Sequence, residues 1–264
     1  MKGQELTLEL HRRALALGKC FHSICEKNSI PYYMLGGSML GAVRHKGFIP
    51  WDDDMDFGVE REYFNTLVQI LNEQLPENYR LVSKDNVKGF YGGFIKIEDR
   101  QTLVKEHLTD FEYGVSIDIF PLDRTNNNFS LFSKNRIINT LYKIHSYRFY
   151  NLKNYSLSKR CISKLLHIIH FPFNKDFIYK IIDKHLLKDK GDYLANHYGA
   201  WGMKETVSKD TMGKPTLYDF EDTRFYGAEN YKDYLTCLYG EDYMILPPEE
   251  KRKIHITEMK IIGD

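Results

Sequence analysis

Cysteine is scarce in this chain: Cys20, Cys25, Cys161 and Cys237 are the only four among 264 residues. None stands at CxxC spacing, so neither a cysteine-ligated zinc site nor a disulfide framework is expected, and a reducing, cytoplasmic compartment is the simplest reading. Long apolar runs are missing as well. The most apolar stretch, Leu165 to Phe173, is interrupted by His167 and His170 and falls short of the roughly 18 residues that cross a bilayer. The opening MKGQELTLELHRRALALGKC mixes acidic and basic residues where a cleaved signal needs an unbroken apolar segment, so export by that route is not expected. An excess of one charge sign is also absent, since the net charge is +1. That argues against a chain that binds polyanions over its whole surface, and with no nucleic-acid motif present, DNA and RNA are not expected partners. There is no internal repeat and no low-complexity segment.

What remains is the composition of a folded enzyme-sized protein, 28% charged and 42% hydrophobic, too apolar for a disordered chain. The near-zero net charge hides an asymmetry. Between Lys134 and Lys190 there are 13 Lys or Arg against 3 Asp, about +10, which leaves about −9 for the rest. This basic segment, 134–190, reads either as solvated helix faces or as a surface for an anionic partner, including peripheral contact with the inner face of the cytoplasmic membrane.

Hydrophobic spacing divides the chain into two regions. From Thr7 to Asn28, Leu10, Ala14, Leu17, Phe21, Ile24 and Cys25 recur at helical intervals, and Pro31 closes the segment. Tyr32 to Leu35 reads as a short buried strand. It leads into Gly36-Gly37-Ser38 and a short helix, Met39 to Arg44. Asp54 to Val59 alternates polar and apolar residues as a half-buried strand does, and a helix follows from Arg61 to about Leu75 with Phe64, Leu67, Val68 and Leu71 inward. Further strands are expected near Tyr79 to Ser83, Gly93 to Ile97, Thr102 to Lys105 and Val115 to Phe120. The order predicts an α+β fold, a mixed sheet flanked by helices over residues 1–125. A second region, 126–264, begins at the polar run Thr125 to Asn128, is mainly helical and basic to about Asp189, and is expected to pack on the first.

The chemistry concentrates in the first region. Residues two apart on a strand share a face, so Asp54 and Asp56 should project together while Met55 and Phe57 enter the core. Paired carboxylates of this kind are hard oxygen ligands suited to Mg²⁺ or Mn²⁺, which take substrate phosphate oxygens as further ligands. Asp118 sits between Ile117 and Ile119, where ionisation is costly unless compensated, and is the expected third member of the cluster. The side-chain-free positions Gly36 and Gly37 let a phosphate approach the backbone, and Ser38 with the helix N-terminus offers donors. Arg44, His45 and Lys46 add positive charge. Lys96, on a predicted strand, is either a phosphate ligand or that strand's solvent-facing residue. Trp51 either stacks on a base or quaternary ammonium or anchors its loop.

The stretch 34–59, MLGGSMLGAVRHKGFIPWDDDMDFGV, resembles the signature of the LicD family of phosphotransferases, a branch of the nucleotidyltransferase fold that includes fukutin-like proteins. Gly114 to Asp123 (GVSIDIFPLD) is similar to the family's second block, and Tyr231 to His255 to its C-terminal motif. The interval from Ser38 to Asp54 is slightly longer than the superfamily's usual spacing, which Asp52 would fit; Asp54 and Asp56 alone share the apolar alternation and remain the expected ligands, with Asp52 and Asp53 open.

The resemblance implies transfer of a phosphorylated alcohol, such as phosphocholine or ribitol phosphate, from a CDP-alcohol donor to a sugar hydroxyl, with CMP released. The acceptor would be a surface glycan such as lipopolysaccharide, teichoic acid or capsule, or its lipid-linked precursor. On this reading Asp54, Asp56 and Asp118 hold the metal, Arg44, Lys46 and Lys96 face the phosphates, and Asp118, with His45 and His255 behind it, takes the acceptor's proton. Two alternatives stay open: a nucleotidyltransferase that releases pyrophosphate from a triphosphate, and a non-catalytic glycan- or membrane-binding protein.

Overall fold

A computed structural model describes residues 3–87, 90, 92–106, 113–126, 180, 184, 190–252 and 256–262. Apart from Lys180, Lys184 and Lys190, the basic segment 134–190 and its expected helices lie outside the described residues, as does His255. In chain order the elements are α1 (Gly3–Lys27), β1 (Tyr33–Met34), α2 (Gly36–Arg44), β2 (Asp56–Glu60), α3 (Arg61–Gln74), β3 (Tyr79–Val82), β4 (Ile95–Asp99), β5 (Thr102–Glu106) and β6 (Ser116–Thr125). After the basic segment come β7 (Tyr193–Asn196), β8 (Thr206–Ser208), α4 (Lys209–Met212), β9 (Thr216–Phe220), β10 (Thr223–Gly227), α5 (Tyr231–Tyr239) and β11 (Ile256–Ile261).

The periodicity of α1 is realised as expected: Leu10, Ala14, Leu17 and Phe21 are wholly buried, each large side chain contributing ~1.5–3 kcal/mol. The helix ends where Ser29 turns left-handed (φ 54°), which brings the Ile30 N–H to the Cys25 carbonyl at 2.9 Å; the Asn28 amide adds a bond to the Ile24 carbonyl at 2.7 Å. In α3, Phe64, Leu67 and Leu71 are buried, and Val68 is partly exposed.

The main sheet runs β1-β2-β6-β4-β3, with β2 parallel to β6 and the other neighbours antiparallel. Because β2 and β6 are parallel, the chain must cross over between them, and α3 lies on that crossover. β6 runs five residues beyond Phe120, where its expected strand ends, and the extension has a reason. Residues 122–125 pair antiparallel with β7, which in turn pairs with β8, so the chain beyond residue 190 joins the same sheet. The hairpin β9–β10 and the pair β5–β11 form two smaller sheets.

An aromatic cluster seats these layers. Phe21 of α1 lies 4.8 Å from Phe57 of β2 and 4.9 Å from Tyr32, while Phe225 of β10 approaches Phe57 at 5.6 Å, in tilted or edge-on arrangements that aromatic rings favour. Phe57 thereby anchors one face of β2, and its neighbour Asp56 is turned to the other. No helix among the described residues is long and apolar enough to cross a membrane.

Candidate active site

Three strands bring the polar residues of that second face together. Asp56 of β2 is the register partner of Asp118 on β6, and Asp118 is the partner of Lys96 on β4. Register partners point to the same side of a sheet, so Lys96, Asp118 and Asp56 stand abreast, each roughly 4.8 Å from the next strand. Lys96 Nζ donates to Asp118 Oδ1 at 2.6 Å, both side chains being mostly buried, and its ammonium lies over the rings of Phe94 and Tyr113. Lys96 is therefore not simply the solvent-facing residue of its strand: it partners a carboxylate of the cluster.

β2 starts at Asp56, later than the alternation predicts, and Asp54 belongs to the extended segment before it. The in-and-out pattern nevertheless persists. Met55 and Phe57 are fully buried, and the Met55 carbonyl accepts the Asp118 N–H at 2.9 Å, which prolongs the contact with β6 by one residue. Asp54 is exposed to solvent. Desolvation holds the protons of Asp54 and Asp56 well above the ordinary carboxylate range. Neighbouring charge adds to this, from Asp52, Asp53 and Asp118 on Asp54 and from Asp54, Asp118, Asp52 and Glu205 on Asp56, with Lys96 opposing at Asp54.

Among the described residues the acidic trio whose ligand atoms lie within 4.8 Å of one another is Asp52, Asp53 and Asp54, which differs from the expected set of Asp54, Asp56 and Asp118; Asp56 and Asp118 are linked to Asp54 by electrostatic influence. Asp53 is buried and its Oδ2 accepts the Ile256 N–H at 2.6 Å, so it fastens β11 to the site loop. Asp52 lies over the glycine turn, where a side chain on Gly37 would strike its Oδ2. A set made of carboxylate oxygens alone, crowded enough to retain protons, fits a hard divalent cation such as Mg²⁺ or Mn²⁺.

The glycines are not a turn ahead of a helix but its first residues. Gly36 has φ +48°, a conformation that disfavours a side chain, and a Cβ there would lie 3.6 Å from Asp56 Oδ2 and 3.7 Å from Tyr239 Oη. Leu35, the preceding residue, supplies no side-chain cap. The Gly36 N–H instead donates to the buried Tyr234 Oη at 2.9 Å. Ser38 Oγ accepts the Asp56 N–H at 2.8 Å, which joins the start of α2 to the start of β2 and leaves the hydroxyl hydrogen to be donated elsewhere.

The basic residues after α2 face the C-terminal block. Arg44 Nη1 donates to the carbonyls of Tyr243 at 2.9 Å and Ile245 at 3.4 Å, within the electrostatic reach of Asp52. His45 meets the edge of Trp51, and burial lowers its proton affinity. Trp51 carries the Arg252 guanidinium 4.8 Å from its ring centroid. Lys46 is exposed, with φ +59° and a carbonyl that accepts the Glu221 N–H at 2.7 Å; no contact among the described residues joins it to the carboxylates.

Three residues enter the site that spacing and pattern did not single out. Tyr234 and Tyr239 come from α5, and nothing but their place in the third sequence block distinguishes them among 19 tyrosines. Glu205 accepts from Asn196 Nδ2 at 2.6 Å and from the Trp201 N–H at 2.7 Å, and raises the proton affinity of Asp56. It lies in a stretch with no motif, so no sequence signal marked it.

A mixed sheet that aligns acidic residues on neighbouring strands beside a glycine-started helix defines a nucleotidyltransferase-type domain. Residues 29–158 match the LicD/FKTN/FKRP nucleotidyltransferase domain. The chain is 32% identical over 246 residues to the lipopolysaccharide cholinephosphotransferase LicD of Haemophilus influenzae (strain ATCC 51907 / DSM 11121 / KW20 / Rd), a match that spans 89% of this chain and 90% of that protein. Shorter matches, 46% identical over 39 residues, reach the ribitol 5-phosphate transferase FKRP of Mus musculus and of Homo sapiens, covering 15% of this chain and 8% of each relative. The chain belongs to the LicD family and is a transferase of the LicD type.

Proposed function

We propose that the protein transfers a phosphorylated alcohol, of the phosphocholine or ribitol phosphate kind, from a CDP-activated donor to a hydroxyl of a cell-surface glycan or its lipid-linked precursor. The observation that carries this reading is the row Lys96, Asp118, Asp56 on three adjoining strands next to the start of α2. It supports a site for a cation and a diphosphate, and the relatives named above support the kind of group transferred.

Asp54 and Asp56, with Asp118 beside them and Asp52 over the glycine turn, would hold Mg²⁺ or Mn²⁺. Such an ion would supply charge neutralisation on the diphosphate. The residues of the chain do the rest. Gly36, with nothing closer than 3.6 Å to where a Cβ would stand, leaves room for a phosphate oxygen at the helix start, where the backbone dipole favours negative charge. Lys96 Nζ holds Asp118 Oδ1 in place at 2.6 Å, which positions the carboxylate towards the acceptor. The acceptor oxygen attacks the phosphorus that bears the alcohol, its proton passes to Asp118, the bond between the two phosphates breaks, and CMP leaves with the electron pair.

The test is to incubate the protein with Mg²⁺ and a panel of CDP-alcohols and monitor CMP. Release from at least one donor is expected. Pyrophosphate release from nucleoside triphosphates, with no CMP from any CDP-alcohol, would overturn the reading.

A further inference from the structure

The Tyr239 hydroxyl is a hydrogen-bond donor at this site that the protein leaves unused. Tyr239 is the last residue of α5, and its ring is held edge-on by Trp201 at 5.2 Å between centroids. Its Oη and Asp56 Oδ2 flank Gly36 at nearly equal distances, 3.7 and 3.6 Å from where a Cβ would stand. Among the described residues no group forms a hydrogen bond with this hydroxyl, and it is not sealed from solvent. Tyr234, on the same helix, differs in this respect, since its Oη already accepts the Gly36 N–H.

The carboxylates whose fields reach Tyr239 are Asp52, Asp56, Glu205 and Asp54, and the Arg44 guanidinium is also within its electrostatic reach. A lysine or arginine in its place would form an ion pair with these carboxylates and compete with a cation for them. A phenol donates one hydrogen without carrying charge, so it can bond an anionic ligand and leave the carboxylates free. The ligand that suits a neutral donor, a helix start whose preceding residue Leu35 supplies no side-chain cap, and carboxylates suited to a cation is a phosphate oxygen.

We propose that Tyr239 is a substrate-contacting residue whose hydroxyl donates to a non-bridging oxygen of the donor's diphosphate beside Gly36. This deepens the function proposed above and rests on its diphosphate ligand. Loop positions on the other side of the glycine turn then need not supply the contact, which accords with Arg44 being engaged by the carbonyls of Tyr243 and Ile245.

The test compares wild type with Tyr239→Phe in the intact chain, by calorimetric titration with CDP in the presence of Mg²⁺ and by CMP release from CDP-choline and CDP-ribitol. The substitution keeps the ring against Trp201 and removes a hydroxyl that bonds nothing in the protein, so Tm should not move. CDP affinity should fall about 10-fold or more, the effect of losing a hydrogen bond to a charged group. Equal CDP affinity in the two proteins, or a lowered Tm in the variant, would overturn the contact and leave the transferase reading standing. CDP binding by wild type, with pyrophosphate release from nucleoside triphosphates and no CMP from any CDP-alcohol of the panel, would remove that reading, while a persisting deficit in Tyr239→Phe would retain the phosphate contact. A wild type that binds no CDP overturns both.

Discussion

Replacing Asp56 with Asn should stabilise the metal-free protein and disable the metal-bound one. Asp56 and Asp118 are register partners on parallel strands; at the usual strand spacing of about 4.8 Å and an effective dielectric near 20, two full charges repel by roughly 3.5 kcal/mol. Part of that is relieved already, because burial and the neighbouring acids keep Asp56 protonated well above the ordinary range. A net gain of about 1–2 kcal/mol is expected, or ~2–6 °C in Tm for a chain of this size. Asn retains the volume and the backbone bond from residue 56 to Ser38. The pH dependence follows from the direction of the shift. A carboxyl with a raised folded-state pKa favours the fold below its ordinary value of 3.8 and loses that contribution as the pH rises through the folded value. The advantage of Asp56→Asn should therefore be absent in acid and grow towards neutrality. Mg²⁺ should reverse the order: at 100 times its dissociation constant it would stabilise wild type by about 2.7 kcal/mol, and the variant should lose most of that shift. CMP release should fall by ~100-fold or more. Thermal unfolding of both proteins across pH, with and without MgCl₂, measures all of this. A variant that is less stable without metal and keeps the wild-type Mg²⁺ shift would refute the reasoning.

Three further outcomes are expected. Tyr234→Phe removes the acceptor of the Gly36 N–H and should cost ~1–3 kcal/mol in urea unfolding while lowering CMP release, because the helix start is no longer positioned. Asp53→Ala frees the buried Ile256 N–H and should cost a similar ~1–3 kcal/mol; because Asp53 is engaged by β11, the Mg²⁺-induced rise in Tm should survive. Glu9 is held down to about 2 chiefly by its bond to Arg12, so its contribution is present above 4.5 and is lost as the pH falls from 4.5 to about 2. With Arg12 largely exposed, the contribution should stay under about 1 kcal/mol and disappear in Glu9→Gln, measured by acid titration of the circular dichroism signal.

The parts of this architecture that were legible in the sequence are those governed by local periodicity. The helical spacing of Leu10, Ala14, Leu17 and Phe21, and the alternation around Asp118, survive in the structure because each residue faces the same neighbour along its whole element. The grouping of Asp56 with Asp118 was foreseeable because both lie at polar positions in otherwise apolar strands. Lys96 shows the limit of that logic: alternation gives its face, but only the register of β4 on β6 decides that it meets Asp118 rather than water. Asp53 was ambiguous for the same reason, as its partner is a backbone N–H from a strand more than 200 residues away. The second half of β6 and the strands β7 and β8 were not anticipated, since a pairing between residues 122–125 and 193–196 leaves no trace in either segment alone.

The carboxylate pair and the glycine turn therefore do not complete the site by themselves. The region matching the nucleotidyltransferase domain ends at residue 158, yet residues that hold its carboxylate-bearing face come from beyond it. Tyr234 satisfies the Gly36 N–H, the carbonyls of Tyr243 and Ile245 hold Arg44, Arg252 covers Trp51, and Ile256 occupies Asp53. Each tether fastens a different point between residues 36 and 53, the segment that links the glycine-started helix to Asp54 and Asp56. A glycine at the first position of a helix with no side-chain cap has little local means of holding its geometry. The polar partner must be brought from a distant segment, and α5 brings it together with Tyr239. The third sequence block thus packs against the carboxylate-bearing face and holds the glycine-started helix and the loop after it in place.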